Sequence, residues 1–270
     1  MTSGEDAGSR AYRSSGVDLM AAAHAVDLIR DVADHAVTPN VISGVGGFAG
    51  LYLLPDGRIL AAATDGVGTK LEVARLAGRF DTVGIDLVAM SANDVVCTGA
   101  TPILFLDYLA VAKVVPEEVA AIVAGVAEGC RRANCALLGG ETAEHPGTLE
   151  VGRFDLAGFC VGLAAEEELL DPANVRPGDA IVGLRSSGLH SNGFSLVRSS
   201  LAADASRLHG LVPALGRTLA DELLEPTAIY VRTVIALRTE GLVRSAAHIT
   251  GGGFPENIPR ALPAGLGAEI

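Results

Sequence analysis

The chain has 270 residues, 49% of them hydrophobic and 19% charged, and no low-complexity tract, so it is long enough for one large core or two modest ones and is not a disordered protein. A net charge of −12 offers no broad basic face, which excludes polynucleotide binding through an electrostatic footprint. The apolar run Ile103 to Leu106 is interrupted by Asp107, far short of a membrane span, and Met1 to Arg13 lacks the apolar stretch of a signal peptide. A cytoplasmic protein with a loose tail over residues 1–13 is expected.

In chain order, Phe48 to Leu54, the turn Pro55-Asp56-Gly57 and Arg58 to Thr64 read as a hairpin of two strands. Lys70 to Ala77 reads as a short helix. Thr82 to Cys97 has helical spacing, with Ile85, Val88, Val95 and Val96 for the core. Asp86, Asn93 and Asp94, at offsets of seven and eight, share about a quarter of that helix's circumference. Pro102 to Val111 is a strand with Asp107 in its middle. Pro116 opens a helix whose apolar stripe is Val119, Ile122, Val123, Val126 and Cys130. Cys135 to Leu138 reads as a strand ending at Gly139-Gly140-Glu141-Thr142, and Phe154 to Leu163 as another. The polar connection Glu166-Glu167-Glu168 sets a domain boundary near residue 168, giving domains 1–168 and 169–270.

The second half is predicted to open with a strand, Ala180 to Leu184, running into the loop Ser186 to Gly193. A helix from Phe194 to about Ala203 follows, then a helical stretch from Pro226 to Thr239 closed by Gly241. His248 to Gly253 is a last glycine loop, and no internal repeat is evident. Cys97, Cys130, Cys135 and Cys160 form no C-x-x-C pair, so reduced thiols packed in a core are expected rather than a zinc site or a disulfide framework.

Asp65-Gly66-Val67-Gly68-Thr69-Lys70 stands directly after the apolar run Ile59 to Ala63. A carboxylate at a strand end, two glycines that admit a close ligand, and a lysine opening the next segment suit the phosphates of a magnesium nucleotide. The spacing is neither that of a Walker loop nor that of a dinucleotide fingerprint. Taken alone, the loop reads first as a glycine turn joining a strand to a helix. Asp94 alone reads as a solvated carboxylate, and His190 or His248 alone as a hydrogen-bonded histidine. Jointly, Asp65, Asp94 and Glu141 supply the oxygen ligands magnesium prefers, and His190 and His248 lie in glycine loops of the other half, which places a candidate site between the halves.

Eight segments then occur in family order: Tyr12 to Asp18, Thr64 to Lys70, Gly84 to Met90, Asn93-Asp94, Gly139 to Glu144, Ala157 to Gly162, Ser187 to Gly193 and His248 to Phe254. Through them the chain resembles the phosphoribosylformylglycinamidine cyclo-ligases, the aminoimidazole ribonucleotide synthetases of purine biosynthesis. Related folds are those of formylglycinamidine ribonucleotide synthetase, selenophosphate synthetase, thiamin-monophosphate kinase and a hydrogenase maturation factor. The resemblance implies an α+β fold: an N-terminal domain with a mostly antiparallel sheet that pairs into a barrel across a homodimer, and a C-terminal α/β domain. Because the family continues beyond the point where Ala268-Glu269-Ile270 stands, that second domain is expected to be incomplete.

The implied activity is the ATP-dependent closure of formylglycinamidine ribonucleotide to aminoimidazole ribonucleotide, with release of ADP and phosphate. The alternatives are a dimeric nucleotide-binding fragment without turnover, or a related phosphotransferase on another small molecule. The implied cofactors are ATP and Mg2+, and the implied partners a ribonucleotide substrate and a second copy of the chain. Asp65, Asp94 and Glu141 are expected to hold magnesium. Lys70 and the amides of Gly66, Val67, Gly68 and Thr69 are expected near the phosphates, with Asn93 and Gly140 also lining the nucleotide. His190 and Asn192 are expected to orient substrate or transfer a proton. His248 is expected to assist in that cleft or, with the Gly251 to Gly253 amides, to hold the substrate's ribose phosphate.

Overall fold

A computed structural model describes residues 14–16, 19–201 and 204–270. The expected loose tail, part of the Tyr12 to Asp18 segment and the expected end of the helix at Ala203 lie outside these residues. Among the described residues no helix is long and apolar enough to cross a membrane.

The first half is a mixed α/β unit. Helix α1 (Leu19–Ala33), which the sequence pattern did not single out, is followed by strands β1 (Val41–Ser43), β2 (Gly50–Leu53) and β3 (Ile59–Gly66), then by helices α2 (Lys70–Ala77) and α3 (Val83–Cys97). Strand β4 (Thr101–Val111), helix α4 (Pro116–Ala133) and strands β5 (Ala136–Glu144) and β6 (Phe154–Ala164) complete it. These strands form one six-stranded sheet in the order β1-β2-β3-β6-β4-β5. Every pairing is antiparallel except β4 with β5, which α4 joins as a parallel crossover.

Alternation along the strands buries one sheet face. Ile59, Ala61 and Ala63 of β3, Phe105, Leu109 and Val111 of β4, and Leu156 and Cys160 of β6 belong to the core. Helix α3 lies over them and is buried along almost its whole length. It can come so close to α4 because Gly84 faces that helix's backbone: a Cβ there would fall on the Ile122 carbonyl and the Val126 amide. The opposite sheet face keeps Ile103, Tyr108, Leu138 and Phe159 exposed.

Strand β5 does not end at Leu138. It runs through Gly139 and Gly140 to Glu144 because the parallel ladder continues from Leu104 opposite Ala136 to Val111 opposite Glu144.

The second half contains helices α5 (Phe194–Leu201), α6 (Ala205–His209), α7 (Leu219–Leu223), α8 (Val231–Thr239) and α9 (Gly253–Asn257), with the small hairpin β7 (Leu211–Val212) and β8 (Arg217–Thr218). Two expectations are corrected here. Ala180 to Leu184 joins no sheet among the described residues, and without a ladder partner its Ile181, Val182 and Leu184 stand exposed. Residues 226–230 are not helical. Their amides are engaged elsewhere: Thr227 N–H donates to Asp86, Ala228 N–H to His190 and Tyr230 N–H to Asn93, so the helix begins only at Val231.

Replacing Gly84 by valine should force α3 and α4 apart and lower stability by about 3 kcal/mol, the scale of a severe overpacking. A fall in the urea midpoint of Gly84→Val, with Gly183→Ala unchanged because no atom lies within 4 Å of a Cβ there, is the expected result.

Candidate functional site

Helix α3 organises the site. Its polar face, legible in the spacing of Asp86, Asn93 and Asp94, does not face solvent but meets the second half. The Asn93 side chain donates to the Ala228 carbonyl (2.9 Å) and accepts from the Tyr230 amide (2.9 Å). Asp94 accepts from His248 Nδ1 at 2.8 Å. Asp86, with no exposed surface, accepts at Oδ1 from the Thr227 amide (2.8 Å) and hydroxyl (2.6 Å).

Lys70 is also fully buried, the first residue of α2. Its Nζ lies 2.9 Å from each Asp86 oxygen, with hydrogen-bond geometry to Oδ1, and donates to the carbonyls of His190 (3.0 Å) and Glu225 (2.8 Å). An ammonium has three donors, so none remains for a phosphate. The expectation that Lys70 sits near nucleotide phosphates does not fit this geometry; the residue ties the two halves together. Burial works against both charges, pushing the ammonium pKa down and the carboxyl pKa up, while each charge favours the other.

The glycine turn before Lys70 has structural reasons of its own. Gly68 is left-handed at φ 70, and a Cβ on Gly66 would press on the Leu156 carbonyl at 3.1 Å. Thr69 Oγ1 lies 3.1 Å from Ser195 Oγ, which brings the turn against the start of α5. Asp65 Oδ1 accepts from the Gly66 amide at 2.8 Å. Burial raises the Asp65 carboxyl pKa against that bond, the charge of Asp94 raises it further, and His248 pulls it down. Asp65, Asp94 and His248 are therefore electrostatic neighbours where the two halves meet.

Glu141 is not part of that group. The ladders put Asp65, Gly158, Asp107 and Gly140 in one row across the sheet, and Gly66, Ala157, Tyr108 and Glu141 in the next. Successive residues of a strand point to opposite faces, so Asp65 looks toward the helices and Glu141 away from them. Gly140 is needed where it stands, because a Cβ would collide with the Asp107 carboxylate. Among the described residues no group of three or more His, Cys, Asp and Glu side chains converges as a metal site. The three-carboxylate set is thus not assembled within one chain, whereas Asp65 and Asp94 are brought together.

In the second-half loop, His190 adopts φ 60. Its Nε2 accepts from the amides of Ser187 (3.1 Å) and Ala228 (3.3 Å), which leaves the ring proton on Nδ1. Burial, with the nearby His248 and Lys70, lowers its pKa to about 4. It is therefore neutral at neutral pH with its basic nitrogen occupied, so of the two roles expected for it, orienting substrate fits this geometry and transferring a proton does not. Asn192 lies nearby, its Nδ2 3.8 Å from Met90 Sδ and its Oδ1 against Gly251, joining the loops at 186–193 and 250–253. His248 is buried, and its Nε2 carries no protein hydrogen bond among the described residues. Asp86 and Asn93 were legible as one helix face but not as clasps, and Thr227 and Glu225 carried no sequence signal, because their partners lie more than a hundred residues away in sequence.

Residues 46–164 match the family described as AIR synthase related protein, N-terminal domain, and residues 176–270 its C-terminal domain. The phosphoribosylformylglycinamidine cyclo-ligase of Acetivibrio thermocellus is 49% identical over 263 residues, covering 96% of this chain and 77% of that protein. The enzyme of the same name from Myxococcus xanthus is 52% identical over 264 residues, covering 96% and 76%. Among solved structures, T. maritima PurL complexed with ADP superposes with a TM-score of 0.52 at 19% identity, covering 82% of this chain and 32% of that one, a likeness of fold alone.

A pH series tests the state of His190. Its pKa is lower folded than unfolded, so the unfolded chain takes up the proton first, and this contribution to stability is lost as pH falls from about 6.5 to about 4. In His190→Asn, whose side chain tolerates the left-handed backbone, the urea midpoint should fall less over that window than in the parent chain. Equal slopes would show that His190 titrates normally.

Proposed function

We propose a function that proceeds from one premise: this chain belongs to the phosphoribosylformylglycinamidine cyclo-ligase family, a family of enzymes that close a ring by forming a C–N bond. Its reaction is the ATP-dependent cyclisation of formylglycinamidine ribonucleotide to aminoimidazole ribonucleotide, with release of ADP and phosphate. The observation that carries this reading is the cluster at the polar end of α3, where Asp65 and Asp94 of the first half meet His248 of the second, beside the 186–193 loop.

The formyl oxygen is a poor leaving group. Transfer of the γ-phosphoryl group to it lets it depart as phosphate when the amidine nitrogen attacks, and no enzyme nucleophile is needed. Such a step depends on positioning and charge neutralisation. Asp65 and Asp94 fit as oxygen donors to magnesium: the two carboxylates are electrostatic neighbours and burial opposes the charge of Asp65, a pair that a cation would stabilise. Bound there, magnesium would neutralise phosphate charge. Asp94 also donates nothing but accepts the His248 Nδ1–H, which holds the ring so that Nε2 is the atom free to take a proton from the attacking nitrogen. His190, fixed through Nε2, orients substrate with its Nδ1–H, and Asn192 shapes the same wall. The Gly66 to Thr69 amides and Asn93 border the nucleotide. Lys70 is assigned to holding this arrangement rather than to the phosphates.

The exposed apolar sheet face carrying Ile103, Tyr108, Leu138 and Phe159 supports pairing of two chains into a homodimeric barrel. Glu141 and Tyr108 lie on that face, so Glu141 is assigned to the nucleotide beside the interface, with Gly140 behind it. The division into domains 1–168 and 169–270 stands as part of the proposal. A second reading, a nucleotide-binding dimer without turnover, is favoured by the unpaired segment Ala180 to Leu184, where Val182 is 77% exposed.

Incubation with ATP, magnesium and formylglycinamidine ribonucleotide, against an ATP-only control, should yield the aminoimidazole product. Asp65→Asn should lose nearly all turnover while its unfolding curve stays close to that of the parent. Nucleotide binding without product would favour the second reading, and normal cyclisation by Asp65→Asn would overturn the metal assignment.

A further inference from the structure

Three of the four cysteines converge away from the cleft, where α4 turns into β5. Asn134 takes the left-handed conformation at φ 57, and the Cys135 amide donates to the Cys130 carbonyl at 3.0 Å. This is the closure of a Schellman turn, and it holds the two residues side by side although four residues separate them. The C3 and C″ side chains of such a turn commonly meet, and the two thiols are electrostatic neighbours, with Cys160 of β6 and Asp107 of β4 the next ionisable groups. The environments of the pair differ. Cys130 is buried in the core, whereas Cys135 is only half-buried at the start of an edge strand.

We propose that Cys135 and Cys130 form a thiol modification site, with Cys135 as the attacking thiol and Cys130 as its resolving partner toward a small disulfide such as oxidised glutathione. The neighbouring Cys130 thiol favours the Cys135 thiolate, while Cys135, burial and the charge of Asp107 keep Cys130 protonated. The Cys135 thiolate attacks one sulfur of the glutathione disulfide, and one glutathione leaves as thiolate. The Cys130 thiol then gives up its proton to that thiolate and attacks the Cys135 sulfur, forming the Cys130–Cys135 bond and expelling the second glutathione. Two protein thiols and one small disulfide are converted to one protein disulfide and two thiols. The bond would tie the end of α4 to the root of β5, the strand that carries Gly140 and Glu141. Expected core thiols thus acquire a role that spacing alone did not suggest.

The test is exposure of the folded, full chain to oxidised glutathione, followed by alkylation and peptide mass spectrometry. The expected product is a Cys130–Cys135 crosslink reversed by dithiothreitol, with Cys97 and Cys160 modified at least tenfold more slowly, about the separation that thiolate character and exposure impose. Cys130→Ser should instead accumulate a stable glutathione adduct on Cys135, and Cys135→Ser should leave Cys130 unmodified. A crosslink involving Cys160, an adduct on Cys130 in Cys135→Ser, or no preferential reaction of Cys135 in the parent chain would overturn the proposal. The parent-chain experiment decides even if a serine variant fails to fold.

Discussion

One buried ion pair holds the arrangement together. Lys70 and Asp86 have no exposed surface, and between them they bind two stretches of the second half: the loop at the His190 carbonyl, and the segment carrying the Glu225 carbonyl and the amide and hydroxyl of Thr227. Burying two charges is costly, and their attraction offsets the cost only when the remaining donors and acceptors are satisfied. Here the lysine spends all three donors and Asp86 Oδ1 accepts three bonds, while the buried Oδ2 has no hydrogen bond and is met only by the ammonium charge 2.9 Å away. Removing one partner would leave an uncompensated charge in the core, a loss of about 3–5 kcal/mol by the usual scale. The pair therefore specifies how the halves meet more than it adds net stability.

The geometry of the cleft depends on that specification. With residues 225–230 held against α3 outside any helix, the Ala228 amide reaches His190 and the Tyr230 amide reaches Asn93. The same helix, one residue further on, presents Asp94 to His248 and to Asp65. Two histidines that look equivalent in sequence are thus given different states. His190 has its basic nitrogen capped by backbone amides, while His248 is held at Nδ1 by a carboxylate and keeps Nε2 open. Additional links, Arg238 to Glu168 at 2.8 Å and Arg79 to Asp221 at 2.6 Å, brace the halves from positions nearer solvent, where ion pairs contribute less.

Much of the first half was legible in the sequence because its signals are local. Apolar segments marked β3, β4 and β6, Lys70 to Ala77 read as the helix it is, and the offsets of Asp86, Asn93 and Asp94 marked one face of α3. The use of that face was not legible, since its partners in the second half lie 135 to 154 residues away. The helix expected from Pro226 fails for the same reason: three side chains from distant elements take its first amides. Glu141 could be placed beside Asp65 by composition and separated from it only by register, because one step along a strand exchanges the faces of the sheet. The segment Ala180 to Leu184 has a strand's composition but no ladder to join among the described residues, and strand propensity without a partner does not make a strand.

The Lys70–Asp86 pair holds the 226–230 segment, and through it the His190 loop, against α3. Amide hydrogen exchange in Lys70→Met measures this directly. Protection at Thr227, Ala228 and Tyr230 should fall by about 100-fold, the equivalent of losing a buried partner locally, while amides of β4 and β6 fall less. Unchanged protection at those three amides would contradict that role for the pair.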